Sequence, residues 1–152
     1  MDLFLWRHAD ALTGVLDFLR ELSPKGHKQA GKAAQWFREN ADASVLTNLR
    51  IFVSPAIRTR QTVAHFCDDE SKIQLCNPLY DDASPDKILK IIDWPNTVSP
   101  ALIVGHQPYM GMFAYSLIGD ITQPYSFRKG ALWWLRNKPG KKDWQLVDMI
   151  EP

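Results

Sequence analysis

Cysteine is scarce in this chain of 152 residues: the two present, Cys67 and Cys76, form neither a CxxC pair nor a disulfide framework. A reduced, cytoplasmic setting is expected from that usage. Long apolar runs are missing too. A membrane-spanning helix needs about 20 apolar residues, whereas the opening run Leu3-Phe4-Leu5-Trp6 breaks at once into Arg7 and His8, so neither a span nor a signal peptide is read. Charge of one sign is not in excess. The formal net charge is +1, which points to no nucleic-acid partner and no membrane surface. There is no internal repeat, no low-complexity tract and no linker. The four histidines lack the spacing of a zinc site, and Gly31-Lys32 lacks the preceding residues of a P-loop. What remains is a globular balance, 45% hydrophobic and 23% charged, over a length expected to make one domain, residues 1–152.

Three segments share one pattern, a short apolar run that stops sharply at polar residues. Leu3-Phe4-Leu5-Trp6 stops at Arg7-His8, Ile51-Phe52-Val53 at Ser54-Pro55, and Ala101-Leu102-Ile103-Val104 at Gly105-His106. Continuous apolar runs of this length read as strands buried on both faces of a parallel sheet. Helices are expected between them. One starts at Ser54 as N-cap with Pro55 as its first residue and runs towards Phe66. Another carries Ala30, Ala33, Ala34, Phe37 and Ala41 at helical spacing from about Gly26 onward. A third runs from Ser84 to Ile92, and a fourth from Pro108 to Gly119. In the tail, residues 131–135 and 144–147 read as two strands joined by a turn at Lys138-Pro139-Gly140-Lys141. The expected fold is a three-layer α/β/α sandwich whose sheet is mostly parallel, with an antiparallel strand late in the chain.

Ligands bind beyond the carboxyl ends of strands in such sheets. Arg7 and His8 arrive there from the first run and His106 from the third, while the helix after the second adds Arg58. Two guanidiniums and two imidazoles make a site for a compact, multiply charged anion, and phosphate is the natural one. A neutral imidazole among cations is also a nucleophile able to form a covalent phosphoenzyme. The arginines would lower its pKa and stabilise the transferring phosphoryl group, so no metal and no cofactor is expected.

The motifs that carry these residues resemble those of the histidine phosphatase superfamily. Arg7-His8-Ala9-Asp10-Ala11 is similar to its RHG or RHA signature, Ser54-Pro55-Ala56-Ile57-Arg58-Thr59-Arg60-Gln61-Thr62 to its SPxxRxxQT stretch, and Gly105-His106-Gln107-Pro108 to its GHxP. The short length, Leu22-Ser23-Pro24-Lys25-Gly26, and Leu79-Tyr80 before a Ser-Pro helix resemble the SixA-type phosphohistidine phosphatases. The resemblance implies His8 as nucleophile, with Arg7, Arg58 and His106 binding and polarising the phosphoryl group. Ala9 stands where the superfamily usually has glycine, which leaves the backbone beside His8 less free to approach phosphate.

Each residue has a plainer rival. Arg60 competes with Arg58, but a helical turn points it elsewhere. His27 and His65 lie in expected helices outside any motif and read as ordinary. Gln61 and Thr62 can be explained by packing and capping. Trp133 and Trp134 alternate faces of a strand and read as core. The resemblance also implies a carboxylate acid for members that cleave phosphate esters. Asp81 and Asp82 are the candidates, with a solvated turn as the alternative. An imidazole leaving group needs less help, since its nitrogen takes a proton readily near neutral pH. The expected function is therefore a metal-independent phosphatase with protein phosphohistidine as preferred substrate, with no long insertion to close a lid. The rivals are a small-molecule phosphomonoesterase using Asp81 or Asp82 and a non-catalytic phosphate-binding module. The expected partner is a phosphorylated protein, such as a His-phosphorylated signalling protein, or a small phosphorylated molecule.

Overall fold

The computed structural model describes residues 1–119 and 125–152. Its strands are β1 (Asp2–Arg7), β2 (Arg50–Val53), β3 (Ile73–Leu75), β4 (Ala101–Gly105), β5 (Leu132–Asn137) and β6 (Trp144–Ile150). Its helices are α1 (Pro24–Asn40), α2 (Ala43–Thr47), α3 (Ile57–Ala64), α4 (Pro78–Asp81), α5 (Pro85–Ile91) and α6 (Tyr109–Ile118). The strands form one sheet in the order β3-β2-β4-β1-β5-β6. The pairs β2/β3, β2/β4 and β1/β4 are parallel, whereas β5 runs against both of its neighbours, β1 and β6. This is the expected α/β sandwich with a late antiparallel strand.

Register is what matters for the site. Arg7 pairs with Gly105, and Val53 pairs with Val104. The first residues beyond the three apolar runs therefore leave the sheet at one edge. The runs are apolar throughout because the sheet is covered on both faces. Leu3, Leu5 and Ile103 pack with Ile88, Met110 and Phe113 from the α5 and α6 side. Phe4, Trp6, Leu102 and Val104 pack with Ala30, Ala33, Ala34 and Phe37 of α1 and Val63 of α3. Burying one such side chain is worth about 1.5–3 kcal/mol, and a one-residue slip would exchange the two sets. Trp133 and Trp134 do take opposite faces: Trp133 stacks on Phe127, ring centroids 4.3 Å apart, and Trp134 on Phe4 at 5.4 Å.

The helix signals hold at Ser84 and Gly119 and fail at Ser54, and the first helix starts earlier than expected. Ser23 caps α1 by accepting from the Gly26 amide, two residues ahead of the expected onset. Gly26 itself sits against the backbone carbonyl of Asp10, where a Cβ would overlap it. Ser84 caps α5, and Gly119, at φ 72°, closes α6 in the left-handed region. Ser54, however, does not cap α3, which begins at Ile57 behind Ala56. Its hydroxyl is engaged with the His106 ring instead. Thr59 steadies that first turn by hydrogen bonds to the Ser54 and Ala56 carbonyls. Strand β3 and helices α2 and α4 have no counterpart in the sequence reading, because three to five residues are too few to show a period. No helix among the described residues is long and apolar enough to cross a membrane.

Candidate active site

Three backbone bonds stitch the edge together. The His8 amide donates to the Gly105 carbonyl, the Ser54 amide to Val104, and the Arg7 amide to Ala131, each at 3.0 Å. Gly105 must be small here, since a Cβ would meet the Tyr109 hydroxyl. His8 Nδ1 lies 2.8 Å from the Ala9 carbonyl oxygen. A carbonyl only accepts, so Nδ1 carries the proton and Nε2 holds the free lone pair. The His8 and His106 rings are 5.2 Å apart.

Helix α3 is locked to this edge by its polar residues. Thr62 Oγ1 accepts from the Ala9 amide at 3.1 Å and donates to the Arg58 carbonyl at 2.6 Å. Gln61 Oε1 accepts from the Leu22 amide at 2.7 Å. Gln61 and Thr62 thus tie the Arg58 segment to Ala9, next to His8, and to Leu22, just ahead of α1. The Ala9 methyl is fully buried in the core beside Trp6 and Leu132, and the Ala9 amide serves Thr62.

The cluster is largely buried and short of internal partners. His8, Arg58 and His106 are each 6–7% exposed. Arg7 Nη1 donates to the Phe127 carbonyl at 2.8 Å. Six buried side-chain nitrogens have no hydrogen-bond partner among the described residues, and three belong here: Arg7 Nε, Arg58 Nε and His106 Nδ1. Leaving such a group unpaired costs about 1–3 kcal/mol, a cost a protein normally avoids unless a ligand meets it. Burial, followed by the charges of Arg58 and Arg7 and opposed by the Ala9 carbonyl, pushes His8 down to about 4. Burial, then His8 and Arg58, pushes His106 down to about 3, with Asp17 acting the other way. Both rings are therefore neutral at pH 7. Arg7, too, is lowered by burial.

The structure brings Arg7, His8, Arg58 and His106 together, as expected from the strand ends. Arg60 turns away to Glu70 at 3.8 Å. Asp81 and Asp82 are not brought into the cluster. Both are exposed, Asp82 is paired with Lys87, and no hydrogen bond or ion pair joins either to the four residues. The carboxylate at the site is Asp17, whose Oδ2 lies 3.1 Å from Arg58 Nη2 and 3.0 Å from the Tyr80 hydroxyl. Tyr80 in turn packs edge-on against His106, centroids 5.9 Å apart. Burial would raise the Asp17 carboxyl, but Tyr80, Arg20 and Arg58 outweigh it and hold the group below its ordinary value. Sequence reading missed Asp17, Tyr80 and the Ser54–His106 contact, at 2.7 Å. The one available signal for Asp17 was its place three residues before Arg20 in an otherwise apolar, non-periodic stretch. His27 and His65 do meet, Nδ1 to Nε2 at 2.9 Å, but on the outer side of α1 and α3.

A sheet edge bearing a buried and a half-buried arginine and two neutral imidazoles defines a class of phosphoryl-handling α/β proteins, and the comparisons agree. The profile of the histidine phosphatase superfamily (branch 1) matches residues 3–79. The chain belongs to that superfamily. An uncharacterized protein of Mycobacterium tuberculosis is 34% identical over 113 residues, 73% of this chain and 68% of its own length. One of Mycobacterium leprae is 32% identical over 109 residues, 71% of this chain, and the match spans 64% of that protein. Two solved structures that bear the name phosphohistidine phosphatase SixA superpose over 99% of the chain, each with TM-score 0.79. The Agrobacterium tumefaciens protein is 26% identical with 97% of its chain covered, and the Nakamurella multipartitia protein 27% identical with 95% covered.

Proposed function

We propose that this protein is a metal-independent phosphatase that takes the phosphoryl group onto His8 Nε2, with protein phosphohistidine as its preferred substrate. The observation that carries the reading is the state of His8: neutral, with Nδ1–H tied to the Ala9 carbonyl and Nε2 left as the lone-pair nitrogen, in the field of Arg58 and Arg7. In the first step Nε2 bonds to phosphorus as the P–N bond to the leaving imidazole breaks. The electron pair goes to the leaving nitrogen, which takes a proton from water. In the second step water attacks phosphorus, the Nε2–P bond breaks, and its pair returns to Nε2 as phosphate departs; one proton of the attacking water stays on the phosphate and the other neutralises the hydroxide left by the first step. Arg7 and Arg58 are assigned to the equatorial oxygens through their unpartnered Nε–H groups, and His106 Nδ1 to a third contact. The cations that neutralise the phosphoryl group are side chains, so the step asks for no metal. A bound dianion would also raise the pKa of both imidazoles relative to the free protein.

Substrate preference follows from the acid. Asp17 is held ionised by its donors and has no proton to give at neutral pH, while Asp81 and Asp82 stand outside the cluster. That arrangement favours a leaving group that water can protonate. The test compares rates on a phosphohistidine protein, a phosphoserine peptide and a sugar phosphate at equal enzyme concentration. Phosphohistidine should be turned over fastest by roughly two orders of magnitude, the contribution of a general acid that the esters would need. A phosphoserine or sugar-phosphate rate equal to or above it would replace this reading with a phosphomonoesterase. No turnover of any of the three, with phosphate still bound, would leave a binding module.

A further inference from the structure

The contacts of Arg58 divide its guanidinium into two edges. Nη1 donates to the Asp17 carbonyl at 2.9 Å and Nη2 to Asp17 Oδ2 at 3.1 Å, so one residue fills the outer edge. Nε, on the other edge, is buried and has no partner. A guanidinium binds a tetrahedral oxyanion best through two N–H groups of a single edge, and Asp17 leaves one edge complete for that purpose. Asp17 is itself braced. The Tyr80 hydroxyl donates to Oδ2 at 3.0 Å, and Arg20 Nη1 to Oδ1 at 3.1 Å. Phe18, the next residue, packs T-shaped on Tyr80 with centroids 5.2 Å apart.

We propose that Asp17 is a positioning residue that fixes the plane of Arg58, so that the Nε edge meets the phosphoryl group. The inference rests on the phosphate-binding reading of Arg58. It opposes the simplest electrostatic expectation, in which a carboxylate beside the site only repels an anion. The two accounts differ in sign. If Asp17 acts by charge alone, removing it tightens oxyanion binding. If it acts by holding Arg58, removing its oxygen loosens the guanidinium and weakens binding despite the lost negative charge.

Calorimetric titration with inorganic tungstate separates them without requiring turnover. Asp17→Ala should bind tungstate about 5- to 20-fold more weakly than the unmodified protein, a part of the value of a well-oriented charged hydrogen bond. Asp17→Asn keeps an acceptor oxygen for Arg58 and Tyr80 and loses the charge, so it should bind at least as tightly as the unmodified protein. Arg20, on an exposed segment, is free to swing away from the new amide. Tyr80→Phe, which leaves Asp17 in place but unbraced, should weaken binding by roughly 2- to 5-fold. Thermal melts of all three report whether the fold is intact. Tungstate binding that is unchanged or tighter in Asp17→Ala would overturn the inference, as would Asp17→Asn as weak as Asp17→Ala. Failure of the unmodified protein to bind tungstate would overturn the phosphate site itself, and this inference with it.

Discussion

Two neighbouring regions of the site are built in opposite ways. The cluster of Arg7, His8, Arg58 and His106 sits on strand ends and one helix, largely buried, with backbone bonds linking β1 to β4 and Thr62 tying α3 to Ala9 just past β1. The segment from Leu12 to Glu21 is held at its base by the Leu12–Glu21 backbone bond and the Ala11–Leu22 bridge, and reaches the cluster through Asp17, with Phe18 packed on Tyr80 beside it. Its apolar side chains face water, Val15 completely and Leu16 and Leu19 by more than half. The cluster is determined by many independent contacts, whereas the segment depends on a few side-chain bonds. Chemistry that needs sub-ångström placement belongs on the first, and adjustment of one arginine suits the second.

The contrast breaks most visibly at Arg58. Arg58→Ala should lose on the order of 2–4 kcal/mol of transition-state stabilisation, roughly 30- to 1000-fold in kcat/KM. Arg60→Ala, two residues on, should stay within about 2-fold, because an exposed ion pair such as that with Glu70 is worth little. Equal losses in the two variants would mean that the helix presents the wrong residue to the site.

The pH dependence of kcat/KM gives the next largest effect. An imidazole at its ordinary value of 6.5 would be about nine-tenths protonated at pH 5.5 and lose nearly tenfold in rate. His8 is depressed to about 4, so its neutral, nucleophilic form persists as the pH falls and is lost only through about 4. After correction for ionisation of the substrate, the profile should be flat between pH 7 and 5. An acid limb centred near 6.5 would show that burial and the arginines do not set the state of His8.

Stability sharpens the same comparison at smaller scale. Thr62→Val strands the buried Ala9 amide and should cost about 1–3 kcal/mol in denaturant unfolding. Val15→Ser removes a methyl pair already in water and should change neither stability nor activity measurably. A larger cost for Val15→Ser than for Thr62→Val would reverse the account of which region is fixed.

The smallest effects concern the aspartates. Asp81→Asn and Asp82→Asn should each lower phosphohistidine turnover by far less than the ~10²-fold typical of a lost general acid. A hundredfold loss from a robust phosphoester rate in either would restore them as candidates.

Much of this was readable in the chain because three of the four cluster residues stand at the end of an apolar run, and parallel register carries run ends to one edge. Arg7, His8 and His106 needed only that rule, and Arg58 needed one turn of helix. Asp17 escaped it. Its partners Arg58 and Tyr80 lie 41 and 63 residues away, joined to it by side-chain bonds alone. Periodicity cannot report such a contact. Ser54 misled for a related reason. The local rule for Ser before Pro describes a helix cap, whereas the hydroxyl found a stronger partner in an imidazole 52 residues on, delivered by the end of a strand.

The central claim is that His8 carries the phosphoryl group. Rapid quenching of the protein with radiolabelled phosphohistidine substrate should yield one label per active site on His8, stable in base and lost in acid, and none in His8→Ala. Label that persists in His8→Ala, or turnover that continues without any acid-labile adduct in the unmodified protein, would contradict it.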